Sequence, residues 1–403
     1  MMKRFLLPAL LLICGLIAGC QSGRSLDEAP KIGVVLPLSG TYAQYGKEIL
    51  NGIQVARAEM AVRNVNGFLP ELLIYDDFGD GRKAQEIVRN LAQENIAAVL
   101  LGYTSLEALA VKDDARTLQI PVVTPAGSND RITQDNPYVF RCNFSDSQQA
   151  RALAHYAYYE RGCRRLGVLF NLDEESVYAR DLGRQTGQYF SDLGGFLCAR
   201  GGFRESEADF SRVSREILAK EPDVVMVPAY PKCAGRIVKS LRENGFRGLI
   251  IGGDSWNGAE FLEHCGPNPG PAAFSSVYCE ETAGETGKAF REAYRKRFDA
   301  EPTSNAALGY DAMRLITMAV SGTETSEDVI ARMGRIRGFL GATGEITMRT
   351  DGSVLRPIHM IRLKRAGGEK NVFSYEMTIP YRYFDQTENP DPRKKGTGLL
   401  WNI

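Results

Sequence analysis

Histidine is scarce in this chain. Only His155, His264 and His359 occur among 403 residues, and they lie far apart in sequence. No Cys-x-x-Cys pair is present. Neither the nitrogen nor the sulfur ligands of a zinc site therefore come at a metal-binding spacing, and no metal or cofactor is expected. The Gly-x-Ser-x-Gly, His-Glu-x-x-His and P-loop patterns are also missing. Their absence removes the common signatures of hydrolases, metalloproteases and nucleotide-binding enzymes. There is no excess of charge of either sign, since Lys+Arg and Asp+Glu both number 49. With no basic stripe, nothing marks a nucleic-acid partner. Beyond the N-terminal segment no apolar run is long enough to cross a membrane.

What is there is an ordinary globular composition, 44% hydrophobic and 24% charged. The length is too great for one typical core and suits two lobes. The N-terminus is a targeting segment. Lys3 and Arg4 precede the apolar run Phe5 to Ala18. Leu16-Ile17-Ala18-Gly19-Cys20 resembles the bacterial lipoprotein cleavage site, departing from its commonest pattern only in Ile17, where leucine is usual. The resemblance implies removal of residues 1–19, acylation of Cys20 and a membrane anchor, with 20–30 as a polar tether. Cleavage would remove two bases and no acid, leaving 47 against 49.

The stretch Lys31 to Arg63 organises the rest of the chain. Ile32 to Leu36 is short, apolar and β-branched, as a buried parallel strand should be. Leu38-Ser39-Gly40 is a turn, and from about Tyr42 a helical stripe of Ile49, Ile53, Ala56 and Met60 begins. This places Ser39 to Tyr45 outside the carboxyl end of a strand, where open α/β sheets bind ligands. Strands are then expected at 71–75, 97–101, 120–123 and 138–141, with helices at 82–94 and 105–118 between them. The pattern restarts near Arg141. Helices are expected at 147–161, 175–193, 209–220 (capped by Asp209) and 233–244. Strands are expected at 165–170, 196–203, 223–227, 249–251 and 275–279. This is βαβ logic run twice, hence α/β with two doubly wound, Rossmann-like lobes. Two later helices, 287–298 and 305–321, suit a return to the first lobe. Residues 346–384 read as strand with a Gly367-Gly368 turn, and 385–403 as a loose tail.

Six cysteines come after Cys20: Cys142, Cys163, Cys198, Cys233, Cys265 and Cys279. Export would permit disulfides. Cys163 and Cys198, near the starts of consecutive strands, are the first choice for a pair. Cys265 and Cys279 flank a Pro/Gly-rich loop and are the second. Buried free thiols are the alternative for all six.

The strand-end loops carry the chemistry. They are Gly102-Tyr103-Thr104-Ser105, Thr124-Pro125-Ala126-Gly127-Ser128, Pro228-Ala229-Tyr230-Pro231 and Gly252-Gly253-Asp254-Ser255-Trp256. One lobe offers small hydroxyls at helix starts, which suit a carboxylate. The other offers aromatics and Asp254, which suits an ammonium. A cleft between them matches the two ends of an α-amino acid. Each residue also has a plainer reading. Ser105 and Ser128 suit helix caps, Asp254 suits a cap near Gly258, and Tyr45, Tyr178 and Tyr230 suit half-buried surface aromatics.

On these residues the chain resembles the periplasmic leucine/isoleucine/valine-binding protein family, the type I solute-binding proteins of ABC importers. The likeness runs from Lys31 to about Phe384. It is carried by Pro37-Leu38-Ser39-Gly40, Ala43-Gln44-Tyr45-Gly46 and Gly52, by the 102–105 and 125–128 loops, and by Arg141, Asp146 and Gln149. Tyr178, Asp209-Phe210-Ser211 and Tyr310-Asp311-Ala312 extend it. Ala179 stands where the family has glycine. The resemblance implies a ligand site at Tyr45, Ser105, Ala126, Ser128, Tyr178, Tyr230 and Asp254. It also implies an ABC permease as partner and a hinge of three crossings, near Arg141, Val277 and Gly344. The lobes are then 31–141 plus 278–344 and 142–277 plus 345–384.

Two rivals accompany this reading. Gly253-Asp254-Ser255 resembles the nucleophile block of GDS-type esterases, but it comes late in the chain and His359 lacks the partner spacing. An enzyme is therefore not expected. The same fold also serves amide or urea sensors and regulatory envelope lipoproteins.

Overall fold

In the computed structural model, residues 29–63, 69–173, 176–366 and 370–380 are described. The signal segment, Cys20, most of the tether, the Gly367-Gly368 turn and the tail lie outside them.

The first sheet grows from a strand that is buried on both faces. β1 (Lys31–Leu36) leads into α1 (Ala43–Arg63), β2 (Glu71–Asp76), α2 (Gly81–Leu91), β3 (Ala98–Leu101), α3 (Ser105–Thr117), β4 (Val122–Thr124) and β5 (Val139–Arg141). The spatial order is β2-β1-β3-β4-β5. All neighbours are parallel, with Val34 paired to Ile74 on one side and Leu100 on the other. β-branched residues suit such a doubly covered sheet, and Ile32, Val34, Val35, Val99 and Val123 are all fully buried. Short strands and their helices alternate, so the connections lie above and below the sheet.

The chain then crosses to a second sheet. α4 (Asp146–His155) runs into a π turn at Tyr156–Glu160. β6 (Arg165–Asn171), α5 (Val177–Asp192), β7 (Phe196–Phe203), α6 (Ser211–Leu218), β8 (Val224–Met226), α7 (Pro231–Glu243), β9 (Leu249–Gly252), α8 (Ala259–His264) and β10 (Ala272–Ser276) come next. α9 (Glu285–Phe298), α10 (Ser304–Val320) and α11 (Ser326–Met333) then return toward the first sheet, where α9 and α10 pack on α1. Glycines set how closely they approach. A Cβ at Gly52 would fall 1.8 Å from the Ala306 carbonyl oxygen, and one at Gly309 2.2 Å from that of Ile49. A small antiparallel sheet of β11 (Phe339–Gly341), β12 (Gly344–Met348) and β13 (Val354–Leu355) leads back to β14 (Ile358–Ala366) and β15 (Lys370–Ile379). The second sheet is ordered β15-β14-β10-β9-β8-β6-β7, with β14 and β15 as its antiparallel edge.

Two fully buried arginines fasten the crossings. Arg141 donates to the Ser128 carbonyl at 2.7 Å, and Arg356 donates to the Cys142 carbonyl at 2.6 Å and the Thr343 carbonyl at 3.1 Å.

Several expectations need correction. β10 covers 272–276 rather than 275–279, because its register is set by Ile250–Gly252 on one side and His359–Arg362 on the other. α6 starts at Ser211; Asp209 still accepts from the Ser211 amide at 2.9 Å, one position outside the cap. α8, α11 and β11 carry no strong sequence signal and add to the expected elements, while β13 and most of β12 fall within the 346–384 stretch read as strand. All six described cysteines are free thiols. Cys163 precedes β6, while Cys198 sits opposite the Leu166/Gly167 register shift. Three residues of strand separate them, roughly 10 Å and beyond disulfide reach. Cys265 and Cys279 also remain unbridged, both packed in the same core beside the second sheet.

Candidate functional site

α3 begins with a capping box that leaves Ser105 free of capping. Thr104 accepts from the Leu106 amide at 3.1 Å, and Glu107 reaches back to the Thr104 amide at 3.1 Å. Ser105, 3% exposed, instead accepts from the Asn129 amide at 3.2 Å. Ser128 is not a cap either, since Ser145 caps α4. The Ser128 carbonyl accepts from Arg141 and from the Asp146 amide at 2.8 Å, and its hydroxyl bonds Asp146. Two hydroxyl loops are thus held from behind, beside the start of α3, where the helix dipole favours anions.

Across the cleft, β9 ends at Gly252-Gly253-Asp254. Asp254 caps no helix: the N-cap of α8 is Gly258. Its carboxylate accepts from Asn143 Nδ2 at 2.6 Å and lies 3.0 Å from the Tyr178 phenol, and its amide donates to Gln149 Oε1 at 3.3 Å. Gln149 is itself anchored by the Ser275 hydroxyl at 3.0 Å. Gly253 makes the approach possible, because a Cβ there would fall 2.1 Å from the Tyr178 phenol oxygen. Burial pushes the Asp254 carboxyl above its ordinary range, and its hydrogen bonds oppose that shift. Burial also raises Asp146 well above it, with Asp130 and Asp254 adding to the rise.

These groups line one cavity between the lobes, about 470 Å³ including its open mouth. Ser105, Ala126, Ser128, Tyr178, Tyr230 and Asp254 all line it. Asp254 is the one charged side chain among its lining residues. Tyr45 is not among the residues that line it. Its ring stacks on Tyr103 at 4.8 Å between centroids, and its phenol donates to Glu260 of α8, so it spans the lobes one layer back. Rings continue the contact across the cleft, Tyr103 to Tyr230 at 6.0 Å and Tyr230 to Tyr178 at 5.7 Å. Burial raises the phenols of Tyr103, Tyr178 and Tyr230, so all three stay protonated.

Sequence reasoning missed several of the residues here. Asn143 joins the Ala126 carbonyl, at 2.9 Å, to Asp254, and so ties one lobe's loop to the other's carboxylate. Its only signal was proximity to the first crossing. Asn257, Ser304, Asn305 and Leu308 also line the cavity. The last three lie on α10, far along the chain from any strand end of the first lobe.

The esterase rival finds no support in the geometry. The Ser255 hydroxyl donates to the Ala229 carbonyl at 2.9 Å, while His359 bonds Thr378 at 2.8 Å. Among the described residues, no group of three or more His, Cys, Asp or Glu could hold a metal ion. No helix among them is long and apolar enough to cross a membrane.

Known proteins share both the sequence pattern and the shape. A family model described as periplasmic binding protein matches residues 29–369. A Leu/Ile/Val-binding protein, BraC3, of Rhizobium johnstonii is 24% identical over 329 residues, 80% of this chain and 88% of that one. Among solved structures, a leucine-binding protein LivK of Thermotoga maritima superposes with a TM-score of 0.80 at 28% identity, covering 87% of this chain and 99% of that one. LivJ of Streptococcus pneumoniae, in complex with isoleucine, gives 0.77 at 26% identity with the same coverage. By their names these relatives are binding proteins for leucine, isoleucine or valine.

Proposed function

Because this chain belongs to the periplasmic binding protein family, we propose that it captures a small α-amino acid between its two lobes. One observation carries the reading. A single carboxylate, Asp254, lines the cleft on one lobe opposite the hydroxyls of Ser105 and Ser128 on the other, and no basic side chain lines it. The ligand ammonium meets Asp254 with Tyr178 and Tyr230 beside it. The ligand carboxylate meets Ser105, Ser128 and the backbone at Ala126. The names of the relatives, which bind leucine or isoleucine, support an amino acid. The fold is α/β with two Rossmann-like lobes, and the family places such a protein outside the cytoplasm.

The finer proposals rest on sequence. Lobes of 31–141 plus 278–344 and 142–277 plus 345–384 close on the ligand about the three crossings. Cys20 carries a lipid anchor, and an ABC permease receives the cargo. Metabolic labelling with a fatty acid should be lost in Cys20→Ala; retained label rules the anchor out.

The test of the ligand reading removes one charge at a time. Calorimetry on the full chain compares an L-amino acid that binds with its α-amide and its deaminated acid. Deamination leaves the desolvated Asp254 unpaired and should weaken binding about thirtyfold or more, while amidation takes the charged acceptor from neutral hydroxyls and should weaken it roughly tenfold to a hundredfold. An amide that binds as well as its parent overturns the carboxylate assignment. A deaminated acid that does so overturns the role of Asp254 and favours an amide-type solute or a regulatory role.

A further inference from the structure

Once the two ends of an amino acid are placed, the rest of the cleft wall must face the ligand's side chain. That remainder is polar. Asn257, from the loop after β9, and Ser304 and Asn305, from the first turn of α10, line it beside Tyr103 and Tyr230, with Leu308 as the one aliphatic among them. Part of this polarity is already satisfied within the protein. Asn257 Nδ2 donates to the Ser304 hydroxyl and lies 3.3 Å from the Ser276 hydroxyl. Asn305 Nδ2 donates to Glu48 at 2.9 Å. Glu48 also accepts from Thr303 at 2.8 Å and Gln44 at 3.3 Å, which fixes it one layer behind the wall.

The rest is unspent. Among the described residues, the side-chain carbonyls of Asn257 and Asn305 and the phenols of Tyr103 and Tyr230 have no hydrogen-bond partner in the protein, yet all four side chains line the cavity. Two side-chain carbonyls and two phenols thus belong to residues that line the same space, and the Asn305 amide is oriented by its bond to Glu48. An aliphatic side chain closing over them would remove their water and return nothing. Each polar group left unpaired on burial costs affinity, and walls built to hydrogen-bond discriminate strongly against ligands that cannot. An anionic side chain would meet two amide carbonyls with no cation nearby. A cationic one would need a second carboxylate, and Asp254 is already the ammonium's partner.

We infer that the ligand is an α-amino acid with a neutral side chain that both donates and accepts hydrogen bonds, a carboxamide or a hydroxyl. Asn257, Asn305, Tyr103 and Tyr230 are its specificity-determining residues. The inference rests on the amino-acid reading above and narrows it.

Calorimetry on the full chain, with L-asparagine, L-glutamine, L-serine and L-threonine set against L-leucine, L-isoleucine and L-valine, decides it. The best of the polar set should bind about a hundredfold more tightly than the best of the aliphatic set. Equal or tighter binding of an aliphatic amino acid, or of L-aspartate, L-glutamate, L-lysine or L-arginine, overturns this inference and leaves the amino-acid reading standing. Failure of every amino acid to bind overturns both. Asn257→Leu supplies a second arm: the preference for the polar set should shrink about tenfold or more, and an unchanged ratio argues against the wall.

Discussion

The first lobe meets the cleft with neutral hydroxyls, the second with a carboxylate, and each holds its group in a different way. Ser105 and Ser128 are free to serve because other residues took the structural work: Thr104 caps α3 and Ser145 caps α4. Asp254 is instead propped, by Asn143, Tyr178 and the Gln149-held backbone. A neutral hydroxyl is buried at little cost once one partner is met, as Ser105 is by the Asn129 amide and Ser128 by Asp146. A buried carboxylate needs hydrogen bonds or a proton to be tolerated. The first lobe does hold a carboxyl of its own, Glu107, directly behind Thr104. There Thr104 supplies hydrogen bonds, and burial beside Asp77 still pushes Glu107 up to about 7, so the carboxyl takes up a proton near neutral pH.

The contrast makes ordered predictions. Asp254→Ala deprives the ligand ammonium of its partner and should cost roughly 2–5 kcal/mol of binding, about thirtyfold or more by calorimetry. Its thermal midpoint should hold, because the carboxylate supports neither core. Near-normal affinity would erase the difference between the lobes.

Next comes Glu107. Its native pKa of about 7 lies above its ordinary 4.5. Between those values the native state holds a proton that the unfolded chain has lost. Its stabilising contribution is therefore full below about pH 4.5 and is lost as pH rises through 7, about 3 kcal/mol for such a shift. Glu107→Gln keeps an acceptor for Thr104 but cannot ionise. Its urea midpoint should fall less than the parent's between about pH 5 and pH 8. A parent-like slope would show that Glu107 is charged throughout, and the contrast with Asp254 would fail.

Ser105→Ala removes a neutral donor to a charged ligand group and should cost about 1.5–3 kcal/mol. A loss as large as that of Asp254→Ala would mean that the hydroxyl lobe dominates recognition.

The smallest effect belongs to Tyr45→Phe, which removes the phenol that reaches Glu260 on the other lobe. Ligand affinity should drop about two- to tenfold, as for one ordinary hydrogen bond. Small-angle scattering should show a larger radius of gyration without ligand than the parent has. An unchanged radius and affinity would show that the lobes need no such contact to stay together.

The central strands and helices were legible because parallel βαβ units announce themselves locally: β-branched runs, then a 3.6-residue stripe. β7 falls at Phe196–Phe203, as its pattern suggests. Short elements such as α8 and β11 exist by packing against neighbours rather than by their own propensity, and left no pattern to read. The disulfide pairing failed for a related reason. Distance along two strands was legible, but the register shift at Leu166/Gly167 was not.

Strand ends named Ser105, Ser128, Tyr230 and Asp254 because a parallel sheet delivers its loops to one edge, whatever the rest of the chain does. That much the sequence determined alone. Which of those side chains was already occupied as a cap, and which was left to a ligand, depended on distant hydrogen-bond partners, Asn129 for Ser105 and Asn143 for Asp254, 24 and 111 residues away. The polar wall from α10 was decided only in three dimensions, since Ser304 and Asn305 reach the cleft because Gly52 and Gly309 let α10 lie against α1. Local pattern fixes what each segment is; only the closed packing of distant segments fixes what each side chain is free to do.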